Sequence, residues 1–265
     1  SRPDLNKRFR AADKFKSLKV RLRVSSAGEG ELVLDAVTRV PTGIEALDAL
    51  IEGGFPRPSS IGLMGNVGSG KSIFCNQVAW NLLQRGFNVL YYAVDEPAED
   101  VRTSMDRFGW DIASYEDRGA LKFVDVFSQG MELVLEKTRS WKVEELAVSP
   151  DRMVEIPFNL REMILQGKDY FFTGIRGKDL LMIFDSVTPL FRTLEARNVL
   201  RFLQSSAYAC RISKAIGIAT IHTGIHGEQI ENACQQLADG VIEFRKKGGD
   251  GGVSRFIRIV KMRAT

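Results

Sequence analysis

The chain has little cysteine: three residues, Cys75, Cys210 and Cys234, among 265. Their odd number and the lack of a CxxC spacing exclude a disulfide framework and a zinc ribbon, and point to a reducing compartment, the cytoplasm. Histidine is scarcer still, with His222 and His226 alone. Long apolar runs are also missing. The longest charge-free stretches, residues 58–70, 72–84 and 215–227, hold 13 residues each, whereas a membrane-spanning helix takes about 18 or more apolar residues. No membrane insertion is expected. The chain opens at Ser1 without a Met or a secretory apolar region, which reads as a truncation or tag remnant.

What is present is ordinary globular composition, 44% hydrophobic and 26% charged, which excludes collagen-like and disordered classes. The net charge of +4 is unevenly spread. Residues 1–23 carry nine basic side chains against Asp4 and Asp13, so the remainder is slightly acidic. A basic arm of this kind is either a solvated segment or a contact to nucleic acid or an acidic protein partner.

Within the arm, a helical stretch to about Leu18 precedes residues 19–24, whose strict alternation reads as a half-exposed strand. A Ser- and Gly-rich linker follows over residues 25–31. The division expected is an arm and linker over residues 1–34 and one domain over residues 35–265. From Val33 onward, apolar strand-like runs alternate with helical stretches, the pattern of an α/β fold with a mostly parallel sheet. Strands are expected at residues 60–64, 88–94, 121–126, 180–184 and 216–221. Helices are expected at residues 71–84, after Pro97 as far as Gly109, and near residues 160–171. Residues 129–179 are otherwise hard to read. Residues 241–247, a glycine-rich turn and residues 253–262 form a C-terminal antiparallel hairpin.

Gly65-Asn66-Val67-Gly68-Ser69-Gly70-Lys71-Ser72 matches GxxxxGK[ST] between an apolar strand and a helix, the context a phosphate loop requires. Its backbone N–H groups converge on a β-phosphate and the helix N-terminus adds positive dipole. Lys71 reaches the β- and γ-oxygens of ATP, and the Ser72 hydroxyl ligates Mg²⁺. The apolar strand ending at Asp185 has the form of a Walker B element, whose carboxylate also holds Mg²⁺. Asp95-Glu96 ends another strand, where a carboxylate can deprotonate an attacking water; either residue could instead cap the helix that begins at Pro97.

Taken together these residues resemble the KaiC-like branch of the RecA superfamily of ATPases, a group abundant in archaea. The likeness is carried by Thr42-Gly43-Ile44, Leu47-Asp48, Gly53-Gly54 and Pro56 before the phosphate loop. It continues in Asp95-Glu96, Phe108-Gly109-Trp110-Asp111, Asp185-Ser186 and Lys261-Met262-Arg263-Ala264-Thr265. The resemblance implies a RecA-like P-loop core forming a homo-oligomer, a hexameric ring or filament, with ATP at each subunit interface. Lys261 and Arg263 would reach the neighbour's γ-phosphate, and His222 would stand at the γ-phosphate sensor position. The family usually has two glutamates where this chain has Asp95-Glu96, so slow turnover is expected. A second likeness, Phe9-Arg10-Ala11-Ala12, is to the FxxA tether of recombinases; the plainer reading is one apolar face of a short helix.

The function expected is a KaiC-like ATPase that binds Mg-ATP between subunits and acts as a regulatory switch or scaffold. The alternative is a DNA-binding ATPase of recombination or repair, taking single- or double-stranded DNA through the arm and the cluster Arg245, Lys246 and Lys247. A third is a nucleotide-holding interaction module without turnover. Zinc at His222 and His226 is not expected, because Thr223-Gly224 between them reads as loop.

Overall fold

A computed structural model describes residues 18–24, 30–138, 160–161, 163–164, 166–167, 179–249 and 252–263. The helical stretch before Leu18 with its Phe9 and Ala12 pattern, most of the linker, and Ala264-Thr265 lie outside the described residues. Residues 168–171 of the helix expected at 160–171 also lie outside them, while the six described residues of that stretch are helical.

The alternating segment forms β1 (Leu18–Val24), which pairs antiparallel with β2 (Gly30–Ala36) in a two-stranded sheet of its own. The boundary expected after residue 34 therefore falls inside β2. The short β3 (Arg39–Val40) and β4 (Phe55–Pro56) bracket α1 (Glu45–Leu50). In this lead-in the Asp48 carboxylate accepts hydrogen bonds from Thr42 N (2.8 Å), Thr42 Oγ1 (2.8 Å) and Gly43 N (3.1 Å).

The main sheet has seven strands: β5 (Ser59–Gly65), β6 (Asn88–Ala93), β7 (Leu121–Asp125), β8 (Leu180–Asp185), β9 (Ile216–His222), β10 (Gly240–Gly249) and β11 (Gly252–Met262). Their spatial order is β11-β10-β5-β9-β8-β6-β7. Every neighbouring pair is parallel except β10 with β11, so the expected hairpin is present at one edge.

Parallel strands covered on both faces are apolar at nearly every position, and β6 and β8 are buried throughout. Alternate residues feed two cores. Val89, Tyr91, Leu181 and Ile183 face α2 (Lys71–Gln84), packing with Phe74, Val78 and Leu82. Leu90, Tyr92, Met182 and Phe184 enter the other core with Val199, Phe202 and Cys210 of α7 (Ala196–Ser213). Besides the helical residues within 160–167, the described residues also form α3 (Ala98–Arg107), α4 (Ala113–Asp117), α5 (Val126–Thr138), α6 (Leu190–Thr193) and α8 (Glu228–Leu237).

The strand expected to end at Val126 stops one residue earlier. Asp125 instead starts α5, its Oδ1 accepting from Ser128 N at 2.8 Å in the manner of an N-cap. α5 itself lies in a segment whose sequence shows no clear period.

Phe74 is 7% exposed and meets the Phe244 ring edge-on at 5.3 Å. Phe74→Ala should cost ~3–5 kcal/mol in urea denaturation, whereas Tyr208→Ala at an exposed position of α7 should change stability by less than about 0.5 kcal/mol.

Candidate nucleotide site

The sheet order places the strand ends where a ligand crevice forms in open α/β folds: β5 runs into residues 65–72, and α2 crosses to β6 beyond β9 and β8. Gly65 has φ of +154°, and a Cβ there would stand 2.4 Å from the Phe244 carbonyl oxygen. Only glycine permits that approach. Asn66, Val67 and Gly68 are exposed, Ser69 is buried, Gly70 caps α2 in a left-handed conformation, and Ser72 is exposed in the first turn of α2.

Lys71 is buried, and its ammonium donates to the carbonyls of Gly65 (2.7 Å) and Asn66 (3.1 Å) and to Ser69 Oγ (3.4 Å). Burial lowers its pKa to about 8, a shift that nearby Asp185 partly opposes. The ammonium is thus held in place by the loop that surrounds it.

Asp185 is buried at the end of β8. Its Oδ1 accepts from Thr220 Oγ1 (2.6 Å) and its Oδ2 from the Tyr91 hydroxyl (2.9 Å). A phenol has one proton, so the 2.9 Å contact between Tyr91 and the Asn76 side-chain amide is completed by the amide NH₂ as donor. Two hydrogen bonds orient the carboxylate and leave it lone pairs for a cation. Tyr91, Thr220 and Asn76 were not singled out in the sequence. Their signal is a polar atom inside an otherwise apolar strand or on a buried helix face.

Asp95 and Glu96 lie alongside, with Val94 N donating to the Asp185 carbonyl at 2.9 Å. Neither caps α3, whose first amide, Ala98 N, donates to Asp125 Oδ2 at 3.0 Å. Glu96 is half-buried and Asp95 exposed. Burial, reinforced by Asp185, Asp100 and Asp95, raises the Glu96 pKa.

His222 pairs directly with Gly65 across the β5–β9 ladder, and the adjacent Thr223 donates through Oγ1 to Asn66 Oδ1 at 2.8 Å. Burial lowers the His222 pKa, and the Lys71 charge adds to that. The imidazole is therefore neutral at pH 7, with one N–H to donate. Among the described residues no group of three or more His, Cys, Asp or Glu could hold a metal ion.

Lys261 and Arg263 are not brought into this crevice. Lys261 pairs with Val241, three residues down β10 from Phe244, the partner of Gly65, which is ~10 Å at strand rise. Its ammonium donates to the Ala238 carbonyl at the end of α8, and Arg263 Nη1 pairs with the buried Asp239 at 3.1 Å. The cluster Arg245, Lys246 and Lys247 does not present one basic face. Arg245 pairs with Glu243 at 2.8 Å, whereas Lys246 reaches back to the Val67 carbonyl at 2.7 Å.

A mostly parallel sheet with a phosphate-loop sequence after one strand and an antiparallel pair at its edge defines a RecA-like P-loop protein. The profile of the ATPase family KaiC matches residues 40–265, and the chain belongs to that family. It is 31% identical to a UPF0273 protein of Pyrococcus furiosus, covering 86% of this chain and 87% of the relative. It is 30% identical to a UPF0273 protein of Aeropyrum pernix, covering 86% of each. Among solved structures, a KaiC-like protein from Pyrococcus horikoshii superposes with a TM-score of 0.62 at 26% identity, covering 86% of this chain and 89% of that one.

The lowered Lys71 pKa has a stability consequence. Between about pH 8 and 10.5 the unfolded chain holds a proton on Lys71 that the folded chain has lost, so stability from this group rises with pH across that window. Relative to Lys71→Met, the parent should gain about 2 kcal/mol between pH 7 and 9.5. Urea titrations of both at the two pH values check this.

Proposed function

We propose that the chain binds Mg-ATP in the crevice at the ends of β5, β6, β8 and β9, hydrolyses it slowly, and uses its occupancy to control assembly with copies of itself. The observation that supports this most is convergence. Lys71, Glu96, Asp185 and His222, spread over more than half of the sequence, meet at one end of one sheet, where the Asp185 carboxylate acts on the titration of the other three.

In this reading the N–H groups of residues 65–72 and the Lys71 ammonium hold the phosphates, and ATP draws Lys71 from the loop carbonyls to the β- and γ-oxygens. Ser72 and Asp185 would hold Mg²⁺, which when bound neutralises phosphate charge. An exposed hydroxyl and one oriented carboxylate suit an ion that keeps several waters and takes phosphate oxygens.

Glu96 accepts the proton of the water that attacks the γ-phosphorus as the bond to the bridging oxygen breaks. Its raised pKa makes it a stronger base than a solvated glutamate. Asp95 sharpens that basicity by charge, and neutral His222 donates to a γ-oxygen. Lys261, ~10 Å along the sheet from its own phosphate loop, and Arg263 beyond it serve a neighbouring subunit's nucleotide. Binding then reports occupancy to the next subunit, the logic of a switch.

With Mg-ATP the protein should run as a larger species in size-exclusion chromatography with light scattering, and Lys71→Ala should abolish the shift; assembly of that variant with nucleotide would contradict the switch. Glu96→Gln should retain ATP binding and lower phosphate release by roughly 10²-fold or more. It should also remove the acidic limb of the parent's pH–rate profile, which is expected above the ordinary glutamate range. Equal release rates in parent and variant would deny Glu96 the role of base.

A further inference from the structure

Residues two apart on a strand share a face. On β10 the face that carries Ile242 and Phe244 into the core beneath α2 continues at Lys246, beyond the point where β10 stops pairing with β5 at Gly65. Lys246 therefore extends over the phosphate loop. Its ammonium donates to the Val67 carbonyl at 2.7 Å, and a Cβ at Gly68 would come within 2.8 Å of it. Gly68, at φ of +67°, accommodates both the backbone turn and the close approach of the cation. Of the neighbouring strand charges, Glu243, on the opposite face, pairs with Arg245 and with Arg258, each at 2.8 Å, while Arg255 stands directly across the ladder from Lys246. Lys246 makes no ion pair among the described residues.

We infer that Lys246 is a second cation of the phosphate site, a positioning residue that sets the Val67–Gly68 peptide and favours a nucleoside triphosphate over a diphosphate. The inference rests on the nucleotide reading given above. In a planar trans peptide the C=O and N–H point in opposite directions. By drawing the Val67 carbonyl toward itself, Lys246 turns the Gly68 N–H away from its own charge, where it serves an anion. The Lys246 charge acts from behind that peptide, so together with Lys71 it adds to the positive field at the loop, which the additional negative charge of a triphosphate feels more than a diphosphate does. Because Lys246 is exposed, the effect is screened by salt.

Calorimetric titrations with Mg-ATP and Mg-ADP on the parent, Lys246→Met and Lys246→Arg, at low and high salt, test this. Lys246→Met should raise the Kd for Mg-ATP about tenfold and that for Mg-ADP by about threefold or less, an order consistent with losing one exposed charge contact. The difference between the two nucleotides should shrink at high salt. Lys246→Arg, which keeps charge and donors, should recover most of the ATP affinity. If the parent binds and Lys246→Met binds ATP equally well, the inference fails and the nucleotide site stands. Equal losses for ATP and ADP would mean that Lys246 only braces the loop, which overturns the triphosphate preference. A parent that binds neither nucleotide removes the nucleotide reading and this inference together.

Discussion

A buried ammonium organises the end of the sheet in this protein. Lys71 has been taken out of water at a place where the surrounding protein can satisfy it, with two loop carbonyls and a hydroxyl as acceptors. Such burial disfavours the charged form, and the lowered pKa is its measure. The same arrangement keeps the cation within the field of Asp185, which is held by Thr220 and Tyr91. Removing one member of such a set leaves its partners poorly matched, so the loop, β8 and β9 are linked through it.

Two charge environments lie at opposite levels of the sheet. The crevice end gathers Lys71, Asp185, Glu96 and His222. Lower down, Asp239 accepts hydrogen bonds from the backbone N–H and hydroxyl of Ser60 at 3.0 Å each and pairs with Arg211 and Arg263. β10 and β11 connect the two regions, with Lys246 at the crevice and Lys261 beside the turn that carries Asp239. The hairpin thus touches the glycine-rich loop through Lys246 at one end and the Ala238–Asp239 turn through Lys261 and Arg263 at the other.

Much of the architecture was legible because parallel strands buried on both faces read as apolar runs, and β5, β6, β8 and β9 stand within a residue or two of where such runs occur. The positions of the GxxxxGK[ST] loop, Asp185 and the carboxylates after β6 were legible for a related reason: each follows directly on an apolar run that forms a strand. The different burial of Asp95 and Glu96 was not, since both sit in the same dipeptide and only the fold sets how much protein surrounds each. Nor was the capping of α3, which comes from Asp125 across the sheet and not from either adjacent acid. α5 was hidden because Asp125 and Ser128 start it directly from a strand, with no intervening turn residues to mark the change.

Local order along the chain determined most of the elements, the family resemblance and the glycine-rich loop motif, since propensity, periodicity and motif spacing are properties of neighbours in sequence. Tertiary structure alone decided which polar groups share an environment. It tied Tyr91 and Thr220 to Asp185, turned Lys246 out of a run of three basic residues toward Val67, and set Lys261 and Arg263 down the sheet from their own loop, beside Ala238 and Asp239. Strand register and sheet order govern those distances, and charge states follow from distance and burial, which no linear pattern encodes.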